Sequence, residues 1–174
     1  PNDGQALYQY LRDKGYNQQE LDASGLFKRS QSGRIYCLFW KRVMTPIFDL
    51  RGNIIAFGGR VMDDSKPKYV NSPETLVYHK SETVFAMQIA KRSASRRFVL
   101  CEGYMDVISM QQAGIDTAVC ACGTALTPGQ VRIISEYADE VILSYDSDEA
   151  GQKATLRSLE LFRNSPVKVG VLQI

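Results

Sequence analysis

A single histidine and a single tryptophan stand among the 174 residues, and the four cysteines (Cys37, Cys101, Cys120, Cys122) contain no C-x-x-C pair. Zinc ribbons and fingers need Cys or His ligands paired at close spacing, so this pattern excludes a self-contained zinc site. His79 has no second histidine and no fitting cysteine beside it, so a cysteine–histidine nucleophile is not expected and His79 reads as structural. Cys101, Cys120 and Cys122 lie in or beside apolar runs, where a reduced thiol acts as a small hydrophobe. Free thiols in a reducing compartment are therefore expected. Long apolar runs are also missing. None approaches the roughly 20 residues of a membrane-spanning helix, and the start does not resemble a signal peptide. The expectation is a soluble, cytoplasmic protein with no membrane partner.

What is present suffices for a packed core. Apolar residues make up 44% and aromatics 10%, which argues against disorder, and the length suits one domain or two small ones. The net charge of +2 conceals a division. Residues 1–100 carry 16 Lys and Arg against 9 Asp and Glu, whereas residues 101–174 carry 5 against 10. A basic half joined to an acidic half suggests a polyanion partner for the first and bound cations for the second.

The periodicity changes with the charge. Residues 5–23 read as helix broken at Gly15, and residues 24–34 as a polar loop. Short strands are expected at Val43–Phe48, Asn53–Val61 and Lys68–Val70, joined by Gly- and Asp-bearing turns, then a helix over Ser81–Arg92. This gives a small basic α+β subdomain with antiparallel strands over residues 1–96. Beyond it, apolar strands at Phe98–Cys101, Thr117–Ala121, Val141–Tyr145 and Val167–Leu172 alternate with helices at Asp106–Ala113, Pro128–Tyr137 and Glu149–Phe162. Such alternation predicts an α/β domain over 97–174, a parallel sheet with flanking helices.

Sites in parallel sheets gather at the carboxyl ends of strands. Glu102 follows the first of these strands, in Glu102-Gly103-Tyr104-Met105-Asp106, and Asp146 and Asp148 follow the third, in Asp146-Ser147-Asp148-Glu149-Ala150-Gly151. Carboxylates brought together repel unless a cation sits among them, and an all-oxygen set with open positions suits Mg²⁺ or Mn²⁺. Gly103 and Gly151 would let a backbone or a phosphate approach. Asp148 suits a helix N-cap equally well, and so does Asp106.

The pairing of E-G-x-x-D with D-x-D-x-x-G across a βα unit resembles the Toprim fold of bacterial primases, topoisomerases and several nucleases. Glu102-Gly103-Tyr104-Met105-Asp106-Val107 and the loop Gly123-Thr124-Ala125-Leu126-Thr127 resemble the bacterial DnaG-type DNA primases within that group. So do Arg42-Val43-Met44-Thr45-Pro46-Ile47, Phe57-Gly58-Gly59-Arg60-Val61 and Pro67-Lys68-Tyr69-Val70-Asn71-Ser72-Pro73-Glu74-Thr75, which match the family's basic subdomain. The resemblance covers roughly residues 35–174. Ser147 replaces a usual Gly and Thr45 a usual Phe. The family's third acidic motif, an Asp-Pro-Asp type, would follow the fourth strand, where this sequence ends at Ile174, so the chain is expected to be an excerpt.

The resemblance implies a nucleotidyltransferase that makes short RNA primers from ribonucleoside triphosphates on single-stranded DNA during replication. It implies Glu102, Asp146 and Asp148 as catalytic metal ligands for Mg²⁺ or Mn²⁺, and Asp106 as an acid behind them. Arg60, Lys68 and Lys80 would hold triphosphate and template backbone, and Tyr69 and Asn71 would add stacking or hydrogen bonds. A replicative helicase would be the partner of the full-length protein through a region absent here. Lys91, Arg92, Arg96 and Arg97 form a further basic stripe, and Trp40 reads as core, with a base-stacking platform as the alternative. Two alternatives remain: phosphodiester cleavage of the Toprim nuclease or topoisomerase type, and a non-catalytic module binding nucleic acid or a nucleotide.

Overall fold

The computed structural model describes residues 5–123 and 125–172. Two compact units form, the first from Pro1–Ile47 and Ile54–His79, the second from Phe48–Asn53 and Lys80–Ile174. Among the described residues no helix is long and apolar enough to cross a membrane.

The first unit opens with α1 (Ala6–Asp13) and α2 (Gln18–Ala23), separated where Gly15 takes a φ of +95°. Asn17 starts α2 through a reciprocal cap. Its side chain accepts from the Glu20 amide at 3.0 Å, and its own amide donates to the Glu20 carboxylate at 2.7 Å. The expected loop at 24–34 instead holds β1 (Phe27–Arg29), antiparallel to β2 (Ile35–Cys37). Three-residue strands are too short for a period to show in sequence; what closes this hairpin is the turn in which the Ser30 amide donates to the Arg34 carbonyl at 2.9 Å. The second sheet runs in the order β3 (Val43–Phe48), β4 (Ile54–Arg60), β5 (Tyr69–Asn71), with Arg60 opposite Tyr69.

The second unit is a five-stranded sheet. Its strands are β6 (Val84–Phe85), β7 (Arg97–Cys101), β8 (Ala118–Ala121), β9 (Glu140–Ser144) and β10 (Lys168–Val171), in the spatial order β10-β9-β7-β8-β6. The last four strands of the chain are parallel, and β6 runs antiparallel along β8 at one edge. Between them lie α3 (Met87–Ala90), α4 (Tyr104–Gln112), α5 (Pro128–Tyr137) and α6 (Glu149–Phe162). Phe98, Leu100, Val119, Val141 and Leu143 from the strands pack with Ile134 and Phe162 from the helices, each at most 2% exposed.

The helix expected over Ser81–Arg92 is not continuous. A 3-10 turn (Lys80–Glu82) leads into β6, Ala86 turns left-handed at φ 64°, and only Met87–Ala90 is helical. Val84 and Phe85 pair with Ala121 and Cys120 to complete the sheet edge, so tertiary pairing overrides local helix propensity. Because β6 joins this sheet, the compact units part after His79, whereas the change of pattern in the sequence places the boundary between residues 96 and 97.

Candidate active site at the carboxyl edge of the sheet

The chain leaves β7 toward β8 on one side, while β9, on the other side of β7, leads on to β10. Connections that part in opposite directions leave a crevice beyond the carboxyl ends of the two central strands, where open α/β sheets bind ligands. Strand register fixes what lines that crevice. Cys101 pairs with Ser144, so Glu102 and the segment Tyr145-Asp146 emerge side by side. The Asp146 amide donates to Glu102 Oε2 at 3.3 Å, and both residues are exposed. The structure therefore brings together acids that are 44 residues apart in sequence.

Asp148 does something else. Its Oδ1 accepts from the Gly151 amide at 2.8 Å and caps α6, a use of the carboxylate that also suits the positive end of the helix dipole. Asp106 likewise turns back, its Oδ2 accepting from the Gly103 amide at 3.0 Å at the start of α4. Among the described residues no group of three or more His, Cys, Asp or Glu side chains lies close enough together to hold a metal ion. Of the expected triad, the Glu102 carboxylate thus meets the Asp146 backbone amide, and one oxygen of Asp148 caps α6. The donor chemistry nevertheless fits a hard divalent cation. Glu102 and Asp146 are exposed oxygen donors on adjacent strand ends, and Asp148 keeps its second oxygen outside the cap.

At Gly151 it is backbone that makes the close approach. A Cβ there would lie 2.8 Å from the carbonyl carbon and 3.0 Å from the amide nitrogen of Asp146, and closer still to its carbonyl oxygen. Beside it, the Tyr145 hydroxyl lies 3.1 Å from Ser158 Oγ, tying the end of β9 to α6, and burial pushes this phenol above its ordinary pKa. A cavity of about 330 Å³ opens next to Glu102, lined by Cys101, Leu126, Tyr145, Arg157 and Ser158. All four cysteines are free and buried. Burial, with the Asp106 charge, pushes the Cys101 thiol up to about 12, and burial raises Cys120 well above its ordinary value, so neither is a nucleophile.

The expected binding residues of the first unit, Arg60, Lys68, Tyr69 and Asn71, sit on β4, β5 and the segment before β5. Arg60 Nε donates to the Tyr69 hydroxyl at 3.0 Å, and its guanidinium carbon lies 5.7 Å from the Tyr69 ring centre. Lys68 is exposed, and Asn71 Oδ1 is buried with no hydrogen-bond partner. Lys80, in the second unit, is half-buried at the 3-10 turn. The expected basic stripe is partly neutralised. Arg96 pairs with Asp139 at 2.9 Å and Arg97 with Glu140 at 2.5 Å, and the Lys91 ammonium lies 6.0 Å from the Tyr137 ring centre. His79 is exposed with Nδ1 3.3 Å from Glu74. Trp40, expected in the core, is 46% exposed. The turn that carries it is held by polar bonds from Arg42, so the indole is not needed as an apolar anchor.

One residue that sequence reasoning passed over is Gln130, fully buried. Its Oε1 accepts from the Thr127 amide at 3.0 Å, while its Nε2 donates to the carbonyls of Lys80 and Thr83 at 2.8 and 2.9 Å. The signal was present as a T-x-x-Q capping box, Thr127-Pro128-Gly129-Gln130.

The parallel sheet with paired acidic strand ends defines a Toprim-like domain, and a family model so described matches residues 99–174. The model for the DNA primase catalytic core, N-terminal domain, matches residues 1–91, and the chain belongs to that family. The DNA primase of Clostridium acetobutylicum is 41% identical over 174 residues, covering 99% of this chain and 29% of that protein. The Haemophilus influenzae DNA primase is 42% identical over 160 residues, covering 89% of this chain and 27% of that protein. The Aquifex aeolicus primase structure, with zinc-binding and RNA polymerase domains, aligns with a TM-score of 0.89 at 33% identity over 98% of this chain and 43% of that one. A DnaG primase catalytic domain bound to single-stranded DNA aligns at 0.85 with 35% identity, over 94% of this chain and 54% of that one. The chain thus spans under a third of the length of the curated relatives it matches.

Proposed function

We propose that this chain is part of the catalytic core of a DNA primase, a nucleotidyltransferase that joins ribonucleoside triphosphates into short RNA primers on a single-stranded DNA template. The observation that carries the reading is the meeting of Glu102 and Asp146 at the topological switch of a Toprim-like sheet. Glu102, Asp146 and Asp148 are assigned to hold Mg²⁺ or Mn²⁺, with Asp106 steadying the loop behind Glu102 through the Gly103 amide. A divalent cation held there would offset the charge that grows on phosphate oxygens as a 3′-hydroxyl attacks an α-phosphate and pyrophosphate departs.

The chain's own residues bind and orient. Lys68 and Arg60 are assigned to template and triphosphate phosphates, contacts blind to base identity and weakened by salt. Tyr69 offers a ring that Arg60 already braces, and the orphaned Asn71 Oδ1 is an acceptor awaiting a donor. Lys80 is assigned to the triphosphate. Binding is thereby allotted mainly to residues 1–96 and chemistry to 97–174. The parts of the protein outside this chain would recruit the replicative helicase, placing the enzyme at cytoplasmic, nucleoid-associated forks.

A binding-only module is the second reading, favoured by the use of Asp148 as a helix cap. Incubation with single-stranded DNA, ribonucleotides and MnCl₂ separates the two. Oligoribonucleotides should form, and Asp146→Ala should lower their yield at least about a hundredfold, with the circular dichroism spectrum kept. Tight DNA binding with no product favours the module, and yields in Asp146→Ala and Glu102→Gln equal to the parent's would refute the acid assignment.

A further inference from the structure

Trp40 is the largest apolar side chain in the sequence and the only one of its kind, yet it stands 46% exposed. The neighbouring Lys41 holds a left-handed φ of 53°, a backbone region that side-chain-bearing residues seldom enter. That conformation puts its ammonium 4.8 Å from the centre of the Trp40 ring, covering part of the indole with a cation. Such a conformation persists only where neighbours over-determine it. Arg42 does so, donating to the carbonyls of Pro67 at 2.8 Å, Lys68 at 3.1 Å and Gly59 at 3.4 Å. Gly59 lacks the Cβ that would strike Phe39 at 2.8 Å and Arg42 Cδ at 3.0 Å, so the turn 39–42 lies directly on β4. An aromatic plane and a cation are thereby fixed to the segment that carries Lys68, Arg60 and Tyr69.

We propose that Trp40 is a base-stacking platform for single-stranded DNA, with Lys41 contacting the adjoining phosphate. The inference rests on the template reading given above and extends it to a subsite on the turn before β3. A flat π surface beside a positive charge matches the two features every nucleotide offers, a base face and a phosphate, and does so without regard to sequence. The unit carrying Trp40 lies in the basic half of the sequence, so the charge favours a polyanion over a protein partner.

Because Trp40 is the sole tryptophan, fluorescence excited at 295 nm reports on it alone. Titration with a single-stranded oligonucleotide should quench that emission in step with binding followed by anisotropy of labelled DNA. An abasic strand of the same length should bind through its phosphates with little quenching. Trp40→Ala should weaken DNA binding roughly tenfold to a hundredfold with an unchanged salt slope, Trp40→Phe should recover part of the loss, and Lys41→Ala should lower the slope by about one. Saturating anisotropy with unaltered Trp40 emission overturns the platform while leaving template binding intact. No anisotropy change at all removes the template reading and this one with it. Loss of self-association in Trp40→Ala, with DNA affinity unchanged, overturns it in favour of a protein contact.

Discussion

Gly151 shows how a missing atom sets a site. Its bare Cα lets the first turn of α6 press on the Asp146 backbone, while its amide holds Asp148. Gly151→Ala would force Asp146 away from Glu102. We expect a stability loss of about 1–3 kcal/mol from overpacking, read as a lower urea midpoint. Mn²⁺ affinity, followed by electron paramagnetic resonance, should fall by about tenfold or more. Unchanged Mn²⁺ affinity in a folded variant would show that the Asp146 backbone does not set the metal site. At this scale the sequence was legible in type and ambiguous in use. Asp148 fitted both a metal ligand and a helix cap, and only the placed Gly151 amide shows which group its Oδ1 meets.

At the scale of elements, Gln130 joins α5 to the 3-10 turn before β6. Gln130→Ala would remove the side-chain amide that donates to the carbonyls of Lys80 and Thr83 and leave a cavity. The expected cost is about 2–4 kcal/mol in chemical denaturation, with Gln130→Glu failing to restore stability because a carboxylate cannot donate. A variant as stable as the parent would show that the join is not needed. The long helices α5 and α6 and the four parallel strands were readable because apolar period, Pro128 and the Asp148 cap agree locally. Residues 81–92 were misread because Val84 and Phe85 become a strand only by lying against β8. The β1–β2 hairpin was missed for the same reason: its two strands gain their identity from each other.

Across the whole molecule, the buried thiols predict a response to alkali. The folded pKa of Cys101 is raised from 9.0 to about 12, so the folded state keeps its proton where the unfolded chain has lost it. That contribution to stability is complete below pH 9 and disappears as pH climbs toward 12. The urea midpoint should therefore fall more steeply from pH 9 to 11 in the parent than in Cys101→Ala. Identical slopes would mean that the thiol does not titrate with unfolding.

Composition and charge division determined a basic half and an acidic half, and local patterning determined a parallel sheet with Glu102 and Asp146 at strand ends. Both follow from properties that each segment carries alone. Which strands lie side by side, and hence that the Asp146 amide reaches Glu102, and that Trp40 is half-exposed rather than in the core, was decided by tertiary structure. Those outcomes depend on distances between residues far apart in the chain, and such distances exist only once the backbone has packed.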